Sequence, residues 1–393
     1  MIRPPTVHRS AIRPALFAVL FLTSSCGART GLDLFATGPI ARGDAGAGST
    51  TGGAGATGSS PGAGATGPGQ GGEGPSGDDG GAGASSDGGP SSSGDAAPVV
   101  GAILFGGDVV DEDNGTTPVA GDTWAWTGSD WTQLHVSGPP ARDNAMMAPL
   151  GGKIVLYGGY DNETTIFSDT WAWDGVAWSR LPVVGPPPRY IAVMAPLGDR
   201  LVLFGGTRFG SGLAGAYDET WTFDGTTWTQ LDVTGPPARY GAVMAALGGK
   251  LVLFGGSEGA SAEPLFYSDT WTFDGTAWTQ LDVTGPQARG DATMATLGSS
   301  VVLFGGSGVD GVIFNDTWTF DGAAWTQQNA AGPVGRYGAA TASFDGEVVL
   351  FGGTYGIFVD AELSDTWTFD GAAWTHRDVF GPSVRIWAAM AGN

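Results

Sequence analysis

The side chains able to do chemistry are few. The chain has three histidines, His8, His135 and His376, and one cysteine, Cys26. His8 and Cys26 lie in the first 26 residues, leaving two histidines in different parts of the remainder. A zinc site needs three or four converging His, Cys or carboxylate ligands, and a His-based triad needs a nucleophile beside its base. Neither pattern is present, and no phosphate-binding loop stands out. No cofactor is implied. Two other groups are better placed to act. Six arginines recur at a fixed place in a repeat: Arg142, Arg189, Arg239, Arg289, Arg336 and Arg385. The segment "DVVDEDNGTTPVAG" at 108–121 carries Asp111, Glu112, Asp113 and Asn114, oxygen donors of the kind that hold Ca²⁺. Their spacing matches no complete calcium loop, so Asp111 and Asp113 stand only as a weak candidate beside a solvated acidic loop.

These residues are positioned by a hairpin written six times. In "DTWTFDGTAWTQL", residues 269–281, two tryptophans seven apart flank Asp-Gly. With Asp274 and Gly275 as the centre of a type I′ turn, Trp271 would face Trp278 on one side of the sheet and Thr272 and Thr279 would fall on the other. The same spacing gives Trp124/Trp131, Trp171/Trp178, Trp221/Trp228, Trp318/Trp325 and Trp367/Trp374. These pairs take 12 of the 15 tryptophans, so most Trp serves one structural position. Upstream of each hairpin an apolar run ends in Gly-Gly, as in "LVLFGG" at 251–256. Before most of these runs comes a Gly-Pro turn, an arginine and an Ala-rich strand, as in "GPPARYGAVMAAL" at 235–247. Four short strands per unit, repeated about every 50 residues, predict a β-propeller.

The strand ending in Gly-Gly, the variable loop and the aromatic strand with its Trp resemble the kelch motif over roughly residues 101–393. The resemblance implies an all-β, six-bladed propeller whose strands A to D run from the axis outward. In repeat three the acid of the Asp-Thr-Trp pattern is displaced, as Asp218-Glu219-Thr220. The first Gly-Gly lacks an A strand before it, and the last A strand, at 385–390, lacks a B strand after it. The two defects complement each other, so the C-terminal strand is expected to complete blade one and close the ring. The resemblance also brings copper oxidases of the galactose oxidase type to mind. Their histidine and tyrosine ligands and cysteine–tyrosine crosslink have no counterpart here.

A propeller would set the six arginines around one mouth of its channel. One reading makes them a partner-binding ring, in keeping with how kelch domains hold partners. The other makes them a structural lock, each paired with an acid at the start of strand C (Asp122, Asp169, Asp269, Asp316 or Asp365) or with backbone carbonyls. The variable B–C loops offer Arg208, Phe209, Phe266 and Tyr267 as further candidate contacts. Residues 99–393 hold 12 basic and 32 acidic residues, a net of −20. That excess argues against nucleic acid as a ligand.

Residues 1–26 read as an export signal: Arg3, Arg9 and Arg13, then "ALFAVLFL", then "LTSSC", which is similar to a bacterial lipoprotein cleavage box ending at Cys26. Residues 27–98 are rich in Gly, Ala and Ser and cannot bury enough surface to fold. As a coil they would tether the propeller by roughly 45 Å. The expectation is a monomeric module, lipid-anchored at the outer membrane, facing the periplasm or the cell surface and binding a protein or glycan. The alternatives are a hydrolase or lyase on polysaccharide, using two converging loop acids, and a purely structural envelope protein.

Overall fold

The apolar runs before each Gly-Gly are buried on both faces: Leu251, Val252, Leu253 and Phe254 are all at most 1% exposed. Such a strand must be sandwiched between other layers, and the computed structural model shows how. It describes residues 101–109, 118–208, 215–258, 265–356 and 361–392. Six four-stranded antiparallel sheets follow the A–B–C–D order. Blade four is typical: Val243–Leu247, Lys250–Phe254, Thr270–Phe273 and Trp278–Leu281. The A strands of neighbouring blades pack against one another around the axis, which their small residues, Ala245 and Ala246 among them, allow. Among the described residues the one helical element is a 3-10 turn at Val309–Gly311.

Blade one closes as expected. Ala389–Gly392 lies in its innermost place and pairs with Ala102–Phe105, Ala102 opposite Gly392 and Phe105 opposite Ala389. A second pairing, Asp108–Val109 with Arg385–Ile386, reinforces the seam.

The core is not central. It is divided among the junctions between blades. At one of them Tyr157 and Val155 of blade two meet Leu201, Leu203, Phe223 and Trp228 of blade three. The outer-strand tryptophan packs on the preceding blade, Trp278 lying 5.2 Å from Phe204.

The hairpin differs from the expected one. Phe273, not Trp271, stands opposite Trp278, and Trp271 faces Gln280. The loop is four residues long, Asp274–Ala277, and only Gly275 has positive φ (96°). The cause is the Asp274 side chain. Its Oδ1 accepts from the backbone N–H groups of Thr276 and Ala277 at 2.8 and 2.9 Å, an Asx arrangement that makes Asp274 the first residue of the turn rather than a central one. Because the register shifts by two, the aromatic and Thr faces stay as expected. Trp does oppose Trp in blades one and two, where strand C ends in Trp126 and Trp173.

Candidate functional site

Each arginine of the repeat ties two blades. Arg239 N–H donates to the Tyr217 carbonyl of blade three, and its own carbonyl accepts from Gly206 N–H of that blade. Its side chain turns to blade four. Nη1 donates to the Gly255 carbonyl at 2.9 Å, and Nη1 and Nη2 grip Asp269 at 2.6 and 2.9 Å. The Tyr267 ring covers the guanidinium at 4.0 Å. The Gly-Gly pair is required by this packing: Gly255 has φ +68°, and a Cβ there would sit 2.5 Å from the Arg289 carbonyl oxygen of blade five.

The pattern recurs as Arg142–Asp169, Arg289–Asp316, Arg336–Asp365 and Arg385–Asp122. In blade three Glu219, not Asp218, pairs with Arg189 at 2.5 Å; the longer acid reaches it through one oxygen. All six arginine side chains are at most 2% exposed. Burial by itself would raise the carboxyls of Asp122, Asp169, Glu219, Asp316 and Asp365. The hydrogen bond and charge of the paired arginine, together with the bond from the neighbouring indole N–H, outweigh it and hold them below the usual range.

Two belts that sequence reasoning missed complete the scaffold. The outer-strand indole N–H of every blade donates to the Thr at the head of strand C in the preceding blade. Trp278 reaches Thr220 at 2.9 Å, and the belt closes through Trp131 to Thr366. The signal was present, since Asp-Thr-Trp or Glu-Thr-Trp recurs six times. The acid takes the arginine and the first indole N–H, and the Thr takes the next blade's indole. Nearer the axis, the residues two after each arginine form a backbone cycle. The N–H of Asn144, Ile191, Gly241, Asp291, Gly338 and Trp387 each donates to the carbonyl of the one in the blade before, at 2.7–3.3 Å. All six have positive φ, including Ile191 at 53° and Trp387 at 57°. A β-branched or bulky residue seldom adopts that conformation, so the cycle holds these two against local preference.

The face bearing the B–C loops carries the departures from sixfold symmetry. Tyr160 stacks on Tyr190 with centroids 5.4 Å apart. The carboxyls of Asp108 and Asp143, from blades one and two, are close neighbours and each acts on the other. Burial, the largest influence on both, lifts Asp108 to about 6 and Asp143 well above the carboxylate range. Glycosidase carboxyls stand about 5 Å apart, or about 6.5–9.5 Å when a water acts between them. Two acids close enough to share a proton, as the mutual influence of Asp108 and Asp143 implies, stand nearer than either spacing. Asp291, packed over Gly241 at the axis, is raised to about 7 by burial. By surface area the residue is half-buried, with its carboxyl against Gly241.

Leu265, Val309, Val312 and Tyr355 are exposed in the B–C loops, and Val184, Val334 and Phe380 in the connections from strand D to the next strand A. Between blades five and six Ile313, Asn315, Val334, Gly335 and Tyr355 line an open groove.

Of the candidate loop contacts, Arg208 is exposed and Phe266 half-buried beside Gly290. Tyr267 is spent on Arg239 and on a hydrogen bond to Glu258; burial, then that carboxylate, pushes its phenol up to about 12. Phe209, Asp111, Asp113 and Cys26 lie outside the described residues, as do the export signal and the 27–98 segment. His135, just past the outer strand of blade one, and His376, on that of blade six, are exposed, His376 against Trp367. Among the described residues no three His, Cys, Asp or Glu side chains converge as a metal cluster, and no helix is long and apolar enough to cross a membrane.

A family model, the KLHDC2/KLHL20/DRC7 Kelch-repeats domain, matches residues 96–285 and 226–385, which together cover most of the chain. No curated protein matches it.

Proposed function

The chain belongs to the kelch-repeat β-propellers, and on that premise we propose that it is a protein-interaction module whose partner docks on the B–C loop face. The observation that supports this is the open groove between blades five and six, where Val334 and Tyr355 are exposed beside Val309 and Val312. Isolated exposed apolar residues are ordinary on any surface, but a contiguous group beside a groove marks a contact site. The arginines are consumed by the scaffold, so recognition falls to the loops. In this reading the propeller is exported, held at the outer membrane by acylated Cys26 and carried on the 27–98 tether.

The test is a pull-down from envelope extract with the full chain and with a Val334→Asp/Tyr355→Ala variant, after thermal melts show both folded. The expected result is a protein partner retained by the parent and lost by the variant. A partner held equally by both would place recognition elsewhere. In the same cells Cys26→Ser should shift the chain from the membrane to the soluble fraction. A chain that stays with the membrane would remove the lipid anchor from the reading.

A further inference from the structure

The junction between blades one and two lacks a positive charge that its neighbours do not need. In each blade one residue follows the Gly-Gly pair and another follows the arginine. At five junctions these two positions hold uncharged residues: Tyr160 and Tyr190, Thr207 and Tyr240, Ser257 and Gly290, Ser307 and Tyr337, Thr354 and Ile386. At the sixth they hold Asp108 and Asp143. Asp143 is 1% exposed and Asp108 6%. Asp143 Oδ1 is buried with no hydrogen-bond donor. The field around them is negative, with Glu362 acting on Asp108 and Asp161 on Asp143. The guanidiniums next along the chain and across the seam, Arg142 and Arg385, are spent on Asp169 and Asp122. Burying two carboxyls together without a cation is among the costlier arrangements a protein can hold.

The other groups at hand are amides. Asn162 Nδ2 donates to Asp108 Oδ1 at 2.6 Å, and the Asn144 side chain lies near enough to Asp143 to act on its carboxyl. Either amide, turned over, presents a carbonyl oxygen to the same point. Two carboxylates and two amide carbonyls form an oxygen-only donor set, which suits a hard divalent cation rather than zinc or copper. We propose that Asp108, Asp143, Asn144 and Asn162 hold a divalent cation of the Ca²⁺ type that pins blade one to blade two beside the closing seam.

The rival cation is a single proton shared by the two carboxyls, and the experiment separates them. The full chain, stripped with EDTA, is titrated with CaCl₂ at neutral pH by calorimetry, and its Tm is read in EDTA and in Ca²⁺. One saturable equivalent is expected, with a Tm rise of at least about 2 °C. Asp143→Asn should abolish both, Asp108→Asn should weaken binding at least about tenfold, and Asp113→Asn, in the neighbouring loop, should leave the Tm gain in place. The absence of saturable binding, with Asp143→Asn raising the Tm in EDTA, would identify a shared proton and overturn the site. Binding that survives Asp108→Asn and Asp143→Asn, or is lost with Asp113→Asn alone, would place the ion elsewhere and overturn it equally. Should one Asn variant fail to fold, the other and the parent's EDTA–Ca²⁺ difference still decide.

Discussion

At the scale of single residues the molecule depends on six buried arginines, each paired with an acid. Asp316 accepts from Arg289 at 2.5 and 2.9 Å, and that arginine has no exposed side-chain surface. Asp316→Ala would leave a guanidinium buried without its counter-ion and should cost about 3–5 kcal/mol. Glu347→Ala, which breaks the part-exposed pair with Arg377, should cost about 0–1 kcal/mol. Urea melts of the two variants measure the contrast, and equal losses would contradict it. The pH dependence follows from the same accounting. Asp291 has its folded carboxyl raised to about 7, so between about pH 4 and pH 7 the unfolded chain loses a proton that the folded chain keeps. Stability should therefore fall as pH rises through that window. The arginine-paired acids are shifted downward, so their contribution is full above the ordinary carboxylate range and is lost as pH drops below it. The Tm should be higher at pH 5 than at pH 8, and Asp291→Asn should narrow the difference. An unchanged difference would remove Asp291 as its source.

At the scale of elements the hairpin does the joining. Trp278 buries its ring on Phe204 and donates its indole N–H to Thr220. Trp278→Ala should cost about 3–5 kcal/mol. Trp278→Phe, which keeps an aromatic ring and loses the donor, should cost about 1 kcal/mol from the bond alone. Chemical denaturation would show whether the two separate; equal costs would mean that the bond, not the ring, carries the junction. The strands themselves were legible in the sequence, because a buried B strand can only be a continuous apolar run and a packed A strand near an axis can only be small. The cross-strand partner of Trp271 was not. Asp-Gly suits a two-residue turn, and nothing in the dipeptide reveals that the Asp side chain will bond two residues ahead. The acids that meet the arginines were readable from their repetition. The Thr that meets the neighbour's indole was equally repeated, yet its partner lies some 55–58 positions away, beyond the reach of local pattern.

For the whole molecule closure is the decisive step. Ala389–Gly392, Arg385 and the Trp131–Thr366 bond all cross between blade one and the C-terminal end or blade six. Ending the chain near Gly381 would remove the innermost strand of blade one and the partner of Asp122, exposing a sheet edge. The truncated chain should lose its cooperative thermal transition altogether. A melt that lost about one blade's share and kept the rest would show an open stack instead. The symmetry-breaking features, the Asp108–Asp143 contact and the Val334–Tyr355 groove, were not visible in advance. Both arise where loops of different repeats are brought together, and no single repeat contains them.

The backbone cycle through Asn144, Ile191, Gly241, Asp291, Gly338 and Trp387 runs in one sense only, each N–H pointing to the blade before. It therefore has no first or last member. Ala389–Gly392 and Ala102–Phe105 pair without a connecting turn, whereas every other blade joins the same two strands by a tight turn such as Leu247–Lys250. The order of the blades along the chain is thus not dictated by their contacts: a propeller rewritten to start in another blade, behind the same 1–98 segment, would encode the same set.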